Sequence, residues 1–185
     1  MTFFETLSVI PLFTALGAMG TCAGAVFVIH VLKSNHDWQR RQYALDIYRD
    51  WNKNTSEHYR AIENALPRIR DIDKNKGSIN ELSKDRARII YGSDPLTDSE
   101  NFALRFHITQ LLNYLEFVAT AYNSNVADEQ VILETMKNPI ISWVNILSNF
   151  LEVSELSLGY QPWQPLRDTV KQWEHNPKIR RLPTA

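Results

Sequence analysis

Residues 97–123 read "TDSENFALRFHITQLLNYLEFVATAYN". Thr97, Asp98 and Ser99 supply helix-starting side chains, and Glu100 adds a negative charge to the first turn. Leu104, Ile108, Leu111, Leu115, Val118 and Tyr122 then recur three or four residues apart, so they form one apolar stripe on a helix running to about Asn123. Arg105, Thr109, Asn113, Glu116 and Thr120 follow spacings of 4, 4, 3 and 4, which stacks them on a second face of the same helix. A helix this apolar belongs at the centre of a bundle. Its polar stripe is either the solvated side of that bundle or a seam facing a groove, a ligand or a second subunit. In the second case Arg105 would serve an anion and Glu116 a donor.

Working outward, the surrounding sequence is helical too. The run "KSNHDWQRRQYALDIYRDW" places Ala44, Ile47, Tyr48 and Trp51 on one face, and no glycine or proline falls between Gly24 and Pro67. Ser34-Asn35 and Asn52 to Asn54 are the candidate break points. A second helix is predicted from Thr55 or Ser56 through "EHYRAIENALPRIRDID", kinked or broken at Pro67. A third opens on the capping-box pattern Ser78-Ile79-Asn80-Glu81 and stops at Gly92. "ADEQVILETMK" forms a short fifth. A sixth follows Pro139 with Ile140, Val144, Leu147 and Leu151 on one face and ends near Gly159, and a last one starts at Pro165 and ends before Pro177. No stretch alternates at period two long enough for a strand. Trp163 and Trp173 should lock the carboxyl-terminal helix onto the bundle.

The amino-terminal end differs in kind. From Thr6 to Leu32 there are 27 residues without Asp, Glu, Lys or Arg, about 40 Å of helix against a hydrocarbon core of about 30 Å. A buried helix of a soluble domain and a cleaved signal peptide are the alternatives, but "MTFFE" lacks the positive charge a signal peptide carries. Lys33, Arg40, Arg41 and Arg49 follow the apolar run, so positive-inside reasoning places the amino terminus outside and the rest in the cytoplasm. Gly17, Gly20 and Gly24 share one face, and Gly20 with Gly24 forms G-x-x-x-G; such small residues let membrane helices approach closely and self-associate. The expected architecture is therefore all-α. A single transmembrane signal-anchor helix (1–32) precedes a cytoplasmic helical bundle of about six to seven helices (33–175) and a basic flexible tail (176–185).

Composition narrows the functions. The chain has 185 residues, a net charge of -1 and 44% hydrophobic residues, a packed fold without the positive excess of a nucleic-acid-binding domain. Its one cysteine, Cys22, allows no internal disulfide and no thiolate cluster. Beyond the apolar run the glycines are Gly77, Gly92 and Gly159, each where a helix should end, so none is left for a phosphate-cradling loop. His30, His36, His58, His107 and His175 show no metal-ligand spacing, and no nucleophile motif is present. No catalytic residue, metal or cofactor is expected, and the protein reads as a non-enzyme.

Together the amino-terminal span, "RRQYALDIYRDW", the central "LLNYLEFVATAYNSNVADEQVI" and the late "W…PLRDTVKQW" resemble an uncharacterised bacterial and phage domain-of-unknown-function family of small, membrane-anchored helical proteins. The resemblance implies a bacterial or phage origin and the same topology, and brings no catalytic residues with it. The expected function is that of an inner-membrane protein whose cytoplasmic bundle binds a nucleotide or other small ligand, or a protein partner. It would self-associate through its span, in the pointed form as a ligand-gated effector in phage defence or exclusion. The alternative is a passive scaffold tethering a cytoplasmic protein.

Overall fold

The computed structural model describes the backbone of residues 3–66, 69, 72–73, 78–79 and 81–176, and the side chains of residues 27–66, 69 and 81–176. Eight helices account for nearly all of it: α1 (Phe3–Asn54), α2 (Ser56–Ala65), α3 (Lys84–Tyr91), α4 (Ser99–Asn123), α5 (Glu129–Thr135), α6 (Lys137–Ile146), α7 (Ser148–Leu158) and α8 (Gln164–His175). Between α2 and α3 lies one antiparallel pair of two-residue strands, β1 (Ile72–Asp73) and β2 (Ser78–Ile79), in register Ile72 to Ile79. The fold is all-helical. The chain divides into two compact units, Met1–Arg40 and Arg41–Ala185.

In the first unit α1 passes Ser34-Asn35 without a break, and every residue from Phe27 to Gln39 is exposed. Gly17, Gly20 and Gly24 lie outside the residues whose side chains and packing are described, as does most of the Thr6–Leu32 run. Among the described residues no helix is long and apolar enough to cross a membrane.

The second unit is built around α4. Ile108, Leu111, Leu112, Leu115, Val118 and Ala119 are fully enclosed, joined by Leu104 and Tyr122 from the same stripe. Asp98 starts this helix by accepting a hydrogen bond from the Asn101 amide at 3.3 Å, which satisfies one of the amides a helix start leaves free. The last turns of α1 contribute Ala44, Ile47 and Trp51 to the core, while Tyr48, expected beside them, stays exposed. The Tyr114 hydroxyl donates to the Ile47 carbonyl at 2.6 Å and ties α4 to that segment. From α8, Trp173 is fully buried and meets Tyr122 edge-on at 5.1 Å; such aromatic pairs add stability beyond the area they bury.

α2 ends at Ala65, two residues before Pro67, where a kink or break is expected. Two other boundaries differ from the sequence expectation. The third helix does not open on Ser78-Ile79-Asn80-Glu81: Ser78 and Ile79 are paired with Asp73 and Ile72, and Ser83 caps α3 by accepting from the Arg86 amide at 3.3 Å. The helix expected from Pro139 to Gly159 is two helices, α6 and α7, interrupted at Leu147. The cause is a distant backbone. The Leu82 amide donates to the Ile146 carbonyl at 2.9 Å, and Asn149 Nδ2 donates to the Leu82 carbonyl at 2.8 Å, so this point of the helical ladder is occupied from outside. Ile140, Val144, Leu147 and Leu151 remain buried across the break. Pro139 falls in the first turn of α6, where its missing N–H removes no helical bond.

Candidate functional site

Four of the five residues of the α4 polar stripe line one cavity. Arg105, Thr109, Asn113 and Glu116 form its helical wall, Tyr91 closes one side, and the segment from Leu158 to Pro165 forms the opposing wall. The cavity holds about 710 Å³, within the range of small-molecule sites. Thr120 lies beyond it, exposed on the same helix.

The opposing wall is an unusual turn between α7 and α8. Gly159 ends α7 at φ 72, the left-handed conformation that glycine enters without a Cβ penalty. Trp163 adopts φ 57 and ψ 35, a region costly for a large side chain. Two sets of bonds hold the turn. Trp163 Nε1 donates to Asn113 Oδ1 at 2.8 Å, bridging directly to the stripe. Glu155, in α7, accepts from Gln161 Nε2 at 2.8 Å and from Arg167 NH1 at 2.9 Å. The Gln161 bond above all, with Arg167 and Lys171, holds the Glu155 carboxyl below its ordinary range.

The stripe residues are not equivalent. One N–H of Arg105 reaches the Tyr91 carbonyl at 2.6 Å, and its guanidinium lies 4.9 Å from the Phe102 ring centre, a cation–π distance. Thr109 donates its hydroxyl to the Arg105 carbonyl at 2.8 Å and so is turned to its own helix. Glu116 has no hydrogen bond or ion pair among the described residues, and partial burial pushes its carboxyl above the ordinary value. Facing it chemically, Gln164 carries a buried Oε1 that accepts nothing, while its Nε2 is bound to Asp168. The site thus offers a forked cation, an amide and two unsatisfied acceptors between aromatic walls. These are recognition groups.

Two further constellations escaped sequence reasoning. His58 of α2 and His107 of α4 bring their Nδ1 atoms to 2.9 Å, beside Phe106. Burial, then the neighbouring His107, lowers the pKa of His58 below its ordinary value. The two residues are 49 positions apart, so no local spacing announces the pair. Among the described residues no group of three or more potential metal ligands assembles. A second cavity of about 430 Å³ lies between Trp51, Tyr59, Asn138, Pro139, Ser142 and Trp143; aromatic residues from three helices create it, again without a sequence signal.

A family model described as Domain of unknown function (DUF4760) matches residues 16–179. The chain belongs to this family. No curated protein and no solved structure matches it. The DUF4760 region contains α4, the turn at 158–165 and therefore the whole groove.

Proposed function

We propose that this DUF4760 protein is a single-pass membrane protein whose helical domain, on the cytoplasmic side, takes a ligand into the α4 groove, and which self-associates through Gly17, Gly20 and Gly24. The observation that carries the binding role is the groove itself. A stripe of helical spacing meets an opposing wall, and the acceptors it contains, Glu116 and Gln164 Oε1, have no donor of their own. A buried acceptor without a donor, as Gln164 Oε1 is, raises the energy of the empty site, and partly buried Glu116 adds a carboxylate that a donor-bearing ligand could reach. The anchor is supported by the uncharged Thr6–Leu32 run and by Phe27, Val28, Ile29, Val31 and Leu32, all left exposed. In its pointed form the protein is a ligand-gated membrane effector.

Two measurements test this reading. Flotation of the full-length chain with liposomes should carry it to the lipid fraction, and recovery as a water-soluble monomer without detergent would overturn the anchor. Thermal melting in the presence of a small-molecule cell extract should show stabilisation that Arg105→Gln abolishes. Equal response of the variant would remove the groove as the site. For the effector form, induction should collapse membrane potential, and Gly20→Leu with Gly24→Leu should prevent it.

A further inference from the structure

The groove has a direction. Arg105 and Glu116 are eleven residues apart on α4, about 16 Å along the axis, which suits a molecule longer than an inorganic anion. At the Arg105 end one guanidinium N–H is committed to the Tyr91 carbonyl and the plane lies over Phe102, while the remaining N–H groups donate to no acceptor among the described residues. The guanidinium fork matches phosphate oxygens. In the middle, Asn113 Oδ1 accepts from Trp163 Nε1, which leaves the Asn113 NH₂ as a donor. At the far end Glu116 is an acceptor only, and Gln164 of the opposing wall carries an Oε1 that accepts nothing. The wall between is aromatic: Trp163, with its ring fixed by its own N–H bond, and the exposed ring of Tyr160.

An anion at one end, a planar ring in the middle and an edge of adjacent donors at the other describe a nucleotide with a particular base. Neutral guanine presents two neighbouring donors, N1–H and the 2-amino group, which a carboxylate accepts as two parallel bonds. Adenine and cytosine offer a single amino group on that edge, and uracil a single imide N–H. Resting on the reading of the groove as a ligand site, we propose that it binds a guanine nucleotide. The phosphate sits on the Arg105 fork, the base lies against Trp163 and Tyr160, and Glu116 accepts from N1–H and the 2-amino group. The Asn113 NH₂ is then available to the guanine carbonyl or the ribose. The cavity of about 710 Å³ accommodates a ligand of this size.

The test is calorimetric titration of the detergent-solubilised full chain with GMP, AMP, CMP, guanosine and inorganic phosphate. GMP should bind at least about tenfold more tightly than AMP or CMP, the discrimination expected of one bidentate base contact. Glu116→Gln should weaken GMP by a similar factor and leave AMP unchanged. Arg105→Gln should reduce GMP to the affinity of guanosine, and Thr120→Ala, outside the groove, should change nothing. Equal affinity for GMP and AMP, or GMP binding indifferent to Glu116→Gln, would overturn the guanine assignment. Stabilisation by cell extract that Arg105→Gln abolishes, without any GMP binding, would overturn that assignment while leaving the groove a ligand site. Silence toward both GMP and extract would overturn the two together.

Discussion

Two apolar helical segments of this chain have opposite fates. In α4, Leu104, Ile108, Leu111, Leu115 and Val118 are buried against neighbouring helices. In α1, Phe27 and Leu32 are 68% and 62% exposed, with Val28, Ile29 and Val31 exposed between them. Residues 27–32 are the more apolar of the two, so hydrophobic content alone would bury the wrong one. Patterning explains the difference. The α4 residues recur on one stripe that other helices cover, whereas in 27–32 only His30 interrupts the apolar residues, which therefore spread around most of the circumference, and no single packed neighbour could cover them. One segment finds its apolar partners within the chain; residues 27–32 meet none among the described residues.

The sharpest break of that comparison is a pair of truncations. Trp173→Ala should cost about 3–5 kcal/mol in urea unfolding, because a fully buried ring against Tyr122 is lost. Leu32→Ala should shift stability by less than about 0.5 kcal/mol, and comparable losses from both would erase the distinction. Leu32→Lys should instead weaken liposome flotation.

Smaller effects sharpen the second unit. Gly159→Ala should destabilise by about 1–2 kcal/mol, since nothing lies within 4 Å of the added methyl and only the positive φ opposes it; an unchanged melting midpoint would mean the turn relaxes freely. Asn113→Ala removes the acceptor for Trp163 Nε1. A loss of about 1 kcal/mol, with faster proteolysis between Leu158 and Pro165, is expected.

The pH response is smaller still and has two opposed parts. His58 has a lowered pKa in the folded chain, so the unfolded chain takes up its proton first, and stability falls as pH drops below about 6.5. Glu116 has a raised pKa, so its penalty is present at neutral pH and disappears as the folded carboxyl protonates on the way down toward about 4.5. His58→Gln should therefore flatten the loss between pH 7.5 and 5.5, and Glu116→Gln should raise the melting midpoint slightly at pH 7.5 without altering that loss. Denaturation midpoints at the two pH values decide both.

How much of this was legible follows from the range of the interactions. The α4 stripe and its Asp98 start depend on residues within a turn of each other, and the sequence spells them out. So does the polar face, four of whose five members reach the groove. The break at Leu147 was illegible because its cause, the Leu82 backbone, arrives from 64 positions before Ile146. Ser78 to Glu81 misled because a capping motif states a local preference, which pairing with Ile72 and Asp73 overrode. The opposing wall was hidden for a third reason: a tryptophan carries no local signal for a left-handed turn, so only tertiary contacts reveal that Trp163 faces Asn113.

The conformation of Trp163 sets two demands against each other. Trp163→Gly would suit a backbone at φ 57 better, yet it would strip the indole from the cavity and its bond from Asn113. Packing of the ring on Phe150 and its bond to Asn113 outweigh a backbone cost of about 1–2 kcal/mol, so a screen for heat resistance should keep this tryptophan, and the strained turn persists because the indole holds it there.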